Sequence, residues 1–146
     1  MTNKELGIQL ALGLLTYQMK MDLANKPTTS KKILAQLSGD KDYSIRHNVA
    51  CNSNTSKEVL TCLSKDKSWT IRRCITYNPN APIEILTILS KDKDWSVKCS
   101  VARNFRTPID ILKKLSTDED WHVKWRVARN LNTPREALKR LSVEYF

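Results

Sequence analysis

The strongest constraint on how this chain folds is a repeat of 26 residues that runs without insertion or deletion from Ala24 to the C-terminus. Its most visible marker is a recurring Asn-X pair: Asn52-Ser53, Asn78-Pro79, Asn104-Phe105 and Asn130-Leu131. A fixed period of this length is typical of a solenoid, in which each unit buries its apolar face only by stacking on its neighbours. The period predicts four complete repeats, at 24–49, 50–75, 76–101 and 102–127, and a half repeat at 128–146.

The first helix of each repeat, helix A, is predicted from two leucine columns three residues apart. These are Leu34, Leu60, Leu86, Leu112 and Leu138, then Leu37, Leu63, Leu89, Leu115 and Leu141. Segments such as Thr107-Pro108-Ile109-Asp110 precede this helix and predict a threonine N-cap followed by proline and an acid. The segment 81–84 lacks the hydroxyl, so its cap is predicted to be the weakest.

The second helix, helix B, is predicted to start after a Ser-X-Asp-X-Asp run that supplies a turn and an acidic N-cap. An aromatic residue opens it, and two β-branched residues four apart mark its core face. The aromatic column is Tyr43, Trp69, Trp95 and Trp121. Helices this short are unstable alone, so stacking must stabilise them.

Residues 1–23 do not match the repeat and are predicted to form a single N-terminal capping helix over the first repeat. A capping box at Thr2-Asn3-Lys4-Glu5 marks its start. A secretory signal is the alternative, and Glu5 and Gln9 argue against it. No stretch of the sequence reaches the roughly 20 apolar residues of a membrane span.

The four cysteines predict neither a metal site nor any other cofactor. Cys51, Cys62, Cys74 and Cys99 lack CxxC spacing and fall on different columns, whereas metal ligands cluster. They are predicted to be free thiols in a reducing compartment, which indicates a cytoplasmic protein.

A net charge of +10 favours polyanions in general. One cation column, Arg46, Arg72, Lys98 and Lys124, resembles a nucleic-acid track. It borders the core, however, and a matching acid column stands six residues earlier at Asp40, Asp66, Asp92 and Asp118. Because a partly buried cation needs a partner, both columns are predicted to form internal ion pairs between repeats.

Three other columns of helix B vary from unit to unit while their neighbours repeat. They are His47, Arg73, Cys99 and Trp125; Asn48, Cys74, Ser100 and Arg126; and Cys51, Tyr77, Arg103 and Arg129. Arginine and aromatic side chains suit phosphates and flat rings, and they also favour protein interfaces. These positions are predicted to form the ligand-binding surface, with an unpartnered solvated surface as the alternative.

The recurring Val-Arg, Val-Ala, Asn-Pro, Thr-Pro and Leu-X-X-Leu elements of residues 24–146 resemble the leucine-rich repeat variant family, a branch of the HEAT and armadillo-like α-solenoids. The resemblance implies an all-α, right-handed solenoid of stacked two-helix repeats. A member of that family carries an iron-sulfur cluster in a cysteine-rich N-terminal part. The N-terminal segment here has no cysteine, so the cluster is not expected. The resemblance brings no shared activity.

The leading hypothesis is a non-catalytic interaction module that binds a protein or peptide through the variable face of helix B. The alternative is a DNA or RNA backbone binder that uses Arg73, Arg103, Arg126 and Arg129. HEAT-like solenoids also include DNA glycosylases, but the variable columns contain no Asp or Glu to act as general acid or base, so no enzyme is predicted. The last helix A lacks its partner, which predicts a homodimer through the C-terminal end or collapse of Tyr145 and Phe146 onto it.

Overall fold

A computed structural model describes residues 2–145, apart from the side chains of Asn3 and residues 143–145. Every regular element in that range is an α-helix, as the sequence predicts. The helices are α1 (Asn3–Ala11), α2 (Tyr17–Asn25), α3 (Lys31–Leu37), α4 (Tyr43–Cys51), α5 (Lys57–Leu63), α6 (Trp69–Ile75), α7 (Ile83–Leu89), α8 (Trp95–Arg103), α9 (Ile109–Leu115), α10 (Trp121–Ala128) and α11 (Arg135–Tyr145). They form two compact units, Met1–Ala81 and Pro82–Phe146.

The N-terminal segment differs from the single helix that was predicted. The predicted capping box of α1 is present, but the chain turns after Ala11 because Gly13 adopts a left-handed φ of 71°, which glycine tolerates without a Cβ clash. Thr16 then caps α2 by accepting the amide of Met19. The predicted boundary between residues 23 and 24 therefore lies inside a second helix.

Within the first unit, alternate helices pack against one another. Helix α2 packs on α4, α4 on α6, and α1 on α3, while α3 and α5 also contact α4. Lys20 of α2 pairs with Asp40 at 2.8 Å, and Gln36 of α3 donates to the carbonyl of Gly7 in α1 at 3.3 Å. Helix α2 thus takes the position of a helix B, and α1 that of a helix A.

The second unit has the same kind of packing. Helix α8 packs on α10, α9 contacts both of them, α7 contacts α8, and α10 contacts α11. The predicted core columns are buried here and in the first unit, except that Leu138 is 38% exposed. The predicted fate of Tyr145 and Phe146 lies outside the side chains that the structure describes.

The threonines predicted to cap helix A form a different bond. Each donates its hydroxyl to a carbonyl near the end of the preceding helix: Thr55 to Val49 at 2.6 Å, Thr107 to Val101 at 2.5 Å and Thr133 to Val127 at 2.5 Å. Ser56 is the N-cap of α5 instead, and α7 and α9 begin after Pro82 and Pro108 with no side-chain cap. The weak start predicted for α7 alone is therefore shared with α9.

The side chains of the recurring asparagines join the ends of helices that lie one repeat apart in the sequence. In the first unit, the side chain of Asn78 donates to the carbonyls of Ala50 at 2.7 Å and Asn52 at 2.9 Å. Asn52 and Asn130 form the corresponding pairs of bonds with carbonyls 28 and 26 residues before them. In each pair, the carbonyl 26 residues before the asparagine also accepts a backbone amide, so the asparagine matters most for the carbonyl 28 residues before it, whose burial without a donor would be costly.

Two members of the cation column form the internal ion pairs that were predicted for it. Arg46 donates to Asp66 through Nε at 2.7 Å, and both side chains are only 8% exposed. Lys98 pairs with Asp118 at 2.6 Å in the second unit. Burial alone would raise the pKa of Asp66, but hydrogen bonds from Arg46 and from the Ser68 amide outweigh it and leave that pKa below its ordinary value. Arg46 and Lys98 are thus held in ion pairs within their own units.

Candidate functional site

The structure divides the predicted binding positions by exposure. Arg73, Cys51, Tyr77, Arg103, Trp125 and Arg129 are exposed, and His47, Asn48, Cys74 and Arg126 are half-buried. Cys99 and Ser100 are 8% and 5% exposed, so their assignment to an exposed face is wrong. They lie on α8 where it packs on α10; burial, and next the nearby charge of Asp120, raise the pKa of Cys99 to about 11.

In the first unit, the structure gathers three of the predicted residues. Cys51 ends α4 and forms a disulfide with Cys74 of α6, with their Cα atoms 6.0 Å apart. His47 lies one turn before Cys51, and its Nε2 is 3.9 Å from Cys51 Sγ. The prediction of free, scattered thiols is therefore wrong for this pair, whereas Cys62 and Cys99 are free.

Two more of the predicted residues have separate surroundings in that unit. Asn48 donates to the Met21 sulfur at 3.5 Å and so joins α4 to α2. The Arg73 guanidinium lies 5.4 Å from the centre of the Trp69 ring, a cation–π pair at the surface.

In the second unit, Trp125 is the centre of a cationic cluster. The guanidinium carbons of Arg126 and Arg129 lie 4.7 and 4.9 Å from its ring centre. Cation–π contact at this distance restrains both side chains. Two positive charges are thus held beside one exposed indole, which is 44% exposed.

The same indole lines an apolar groove between α10 and α11. The groove has a volume of about 390 Å³ and is lined by Trp121, Lys124, Trp125, Ala128, Leu138, Leu141 and Ser142. This volume lies within the range of sites that hold small ligands or side-chain anchors. Trp125 therefore connects an apolar cavity to a pair of guanidinium groups, and the lining residues that the structure describes include no carboxylate.

Trp121 was not predicted as a site residue, because its aromatic column was assigned to the repeat framework. The type of residue carried a signal: each of four short helices opens with one large aromatic side chain, which a first turn buries only in part, and Trp121 is 54% exposed. His122 stacks on Trp121 and Trp95, with ring centres 3.8 and 4.6 Å apart, and its Nδ1 is 2.9 Å from Asp120. This stack extends the aromatic surface beside the groove.

Leu138 was missed as a site residue for the same reason. The leucine column to which it belongs predicts a buried residue. Among the described residues no further helix packs on α11, so the side chain of Leu138 stays 38% exposed and lines the groove. Of the twelve predicted positions, the structure brings Trp125, Arg126 and Arg129 together here, while Arg103 ends α8 as an exposed residue.

Across residues 2–145, no helix combines the length and the apolar character needed to cross a bilayer. Comparison of the chain with protein-family models, with curated proteins and with solved structures finds no match.

Proposed function

We propose that this protein is a non-catalytic interaction module that binds an acidic peptide segment of a partner protein, with an apolar anchor residue in the groove between α10 and α11. The observation that carries the proposal is the position of Trp125, which lines the groove and also contacts Arg126 and Arg129. An aliphatic or aromatic anchor would fill the cavity, and carboxylates beside it would meet the two guanidinium groups.

The fold proposed for this module is a right-handed α-solenoid of 26-residue, two-helix repeats, similar to the leucine-rich repeat variant family. Support comes from helices α4, α6, α8 and α10, which begin at Tyr43, Trp69, Trp95 and Trp121. The recurring asparagine bonds and ion pairs also support it. Because such a fold licenses no activity by itself, the function is argued from the groove alone.

Nucleic-acid binding is the competing function, and the groove favours a peptide over it. A backbone tracked by phosphate contacts needs a row of free cations, whereas the described lining of the groove is mostly apolar. Among the predicted arginines, Arg126 and Arg129 are held on one indole. This geometry suits a short acidic and apolar segment better than an extended polyanion.

The test is selection from a displayed library of random peptides, run on the wild-type protein and on the charge-reversed variant Arg126→Glu/Arg129→Glu. We expect enriched peptides to carry an aliphatic or aromatic residue next to Asp or Glu, and the variant to lose that enrichment. Random DNA and RNA are titrated in parallel at two salt concentrations.

Two outcomes would contradict the proposal. One is the absence of any acidic and apolar consensus in the selection. The other is tight nucleic-acid binding with a logarithmic salt slope near −3 to −4, the value expected for about four phosphate contacts. That second result would establish the nucleic-acid alternative.

A further inference from the structure

The cluster of His47, Cys51 and Cys74 has a geometry that the groove does not use. One nitrogen or sulfur from each residue lies within 4.8 Å of the others. His47 and Cys51 are four residues apart on α4, so they share one face of that helix. Cys74 comes from α6, which packs against α4.

We propose that reduction of the Cys51–Cys74 disulfide converts this cluster into a zinc site with His47, Cys51 and Cys74 as ligands. Imidazole nitrogen and thiolate sulfur are the ligands that Zn²⁺ prefers. Three protein ligands leave the fourth tetrahedral position to water, the arrangement of an open zinc site rather than a closed structural one. The site belongs to the first unit and is independent of the groove.

The ligand atoms are close enough to share one tetrahedral ion. With Zn–N near 2.0–2.1 Å and Zn–S near 2.3 Å, a nitrogen and a sulfur ligand stand roughly 3.6 Å apart, and two sulfur ligands roughly 3.8 Å apart. The two ring nitrogens of His47 lie 3.9 and 4.0 Å from Cys51 Sγ, so a rotation of the imidazole about χ2 would aim one nitrogen at an ion bound by this sulfur. Rotation of the two cysteine side chains about χ1 can supply the second separation once the disulfide is open.

The surroundings allow access and orient the histidine. Cys51 is exposed and the other two ligands are half-buried, so a reductant and a metal ion can reach them. The ring of Tyr43, one turn before His47 on the same helix, packs against the imidazole with centres 5.9 Å apart. This contact restrains the imidazole on the side of α4 that carries Cys51.

The chemistry balances with a dithiol as reductant. Thiol–disulfide exchange transfers two electrons and two protons to the sulfurs of Cys51 and Cys74 and leaves the reductant as a disulfide. Zn²⁺ then displaces one proton from each thiol and accepts a lone pair from neutral His47, so binding releases two protons. The disulfide form offers no thiolate and therefore binds no zinc here.

The experiment compares the oxidised and the dithiol-reduced protein, the latter freed of reductant under anaerobic conditions, by titration with Co²⁺ as a spectroscopic probe followed by Zn²⁺. We expect the reduced protein to bind one Co²⁺, with thiolate-to-cobalt charge-transfer absorption that Zn²⁺ abolishes. The oxidised protein should give no such absorption. This contrast needs no substitution, so a folding defect cannot obscure it.

Variants then identify the ligands. Cys74→Ser should lose the charge-transfer absorption that is characteristic of two thiolate ligands. His47→Ala should bind Co²⁺ more than about 100-fold more weakly, because substitution even of residues outside the ligand set lowers metal affinity 10–100-fold. Cys62→Ser is the matched control, since Cys62 is a free, exposed thiol outside the cluster, and it should bind as the wild type does. No cobalt absorption in the reduced wild type, unchanged binding in Cys74→Ser or His47→Ala, or loss of binding in Cys62→Ser would each overturn the proposal.

Discussion

The substitution Asp66→Asn tests the internal ion pairs most sharply, because it removes one charge and almost no volume. The Asp66 carboxylate accepts hydrogen bonds from Arg46 Nε at 2.7 Å and from Arg46 Nη2 at 3.3 Å. Arg46 also donates to the carbonyls of Asp40 and Lys41, at 2.9 and 3.0 Å. In the variant, a guanidinium on a residue only 7% exposed would face a neutral amide.

The expected loss of stability follows from that burial. Breaking a buried ion pair from one side costs about 3–5 kcal/mol, because the remaining charge is uncompensated. Arg46 keeps its two carbonyl acceptors, so we expect a value near the lower end, about 3 kcal/mol. Replacing both partners, as in Arg46→Met/Asp66→Asn, removes the buried charge while the asparagine oxygen can still accept the Ser68 amide, and should be less destabilising than Asp66→Asn alone.

The assay is urea unfolding followed by far-ultraviolet circular dichroism. The control is Glu136→Gln, which breaks the exposed pair between Lys113 and Glu136, where the atoms are 3.4 Å apart and the side chains are 51% and 83% exposed. A pair this exposed contributes at most about 1 kcal/mol. The account fails if Asp66→Asn is no more destabilising than Glu136→Gln, or if the double variant is less stable than Asp66→Asn.

Three further predictions concern stability. Asn78→Ala should destabilise the protein by about 1–3 kcal/mol in the same assay, because the buried Ala50 carbonyl loses the donor that Asn78 supplies, while the Asn52 carbonyl keeps the Thr55 amide; an unchanged urea midpoint would contradict this. Asp40 and Asp66 have pKa values below the ordinary 3.8. Their ionised forms therefore contribute fully to the free energy of unfolding above pH 3.8, and this contribution is lost as the pH falls through the lower pKa of the folded state. The melting temperature should fall between pH 5 and pH 2, and it should fall less in Asp66→Asn. Gly13→Ala should cost about 1–2 kcal/mol, because its φ of 71° is unfavourable for an L-residue, and an unaltered melting temperature would refute the turn.

Much of the fold could be predicted because its determinants are local and periodic. The spacing of the leucine and β-branched columns is enough to predict the buried faces of the helices, and members of these columns such as Leu112 and Val123 are buried as expected. The N-terminal division was also accessible in principle. Tyr17, Lys20 and Ala24 stand 26 residues before Tyr43, Arg46 and Ala50, so they continue the helix B columns before the first complete repeat.

The features that could not be predicted depend on contacts between helices. Cys51 and Cys74 are 23 residues apart, and only the packing of α4 against α6 brings them together. Cys99 occupies a variable column that is exposed at Arg73 and Trp125, yet the packing of α8 on α10 buries it. A column of the repeat specifies a direction from its helix axis, while the neighbouring side chains decide whether that direction leads to solvent.

The groove combines both kinds of determinant. The sequence indicated Trp125, Arg126 and Arg129 through their variability, but it assigned Trp121 and Leu138 to the framework. The cavity exists because α11 packs on α10 while Leu138 stays partly exposed. Sequence patterns therefore indicated Trp125 and the two cations of the candidate site, and the structure added Trp121 and Leu138.

The affinity of a selected acidic and apolar peptide for Trp125→Ala, compared with Trp69→Ala, tests the central claim most directly. Trp69 is the matched control because it is also half-exposed and lies under an arginine, Arg73, but outside the groove. Fluorescence anisotropy of the labelled peptide should show at least about 30-fold weaker binding for Trp125→Ala, the size of a loss of 2 kcal/mol at a binding hot spot. Trp69→Ala should bind as the wild type does. Equal affinities for the two variants would contradict the assignment of the groove as the binding site.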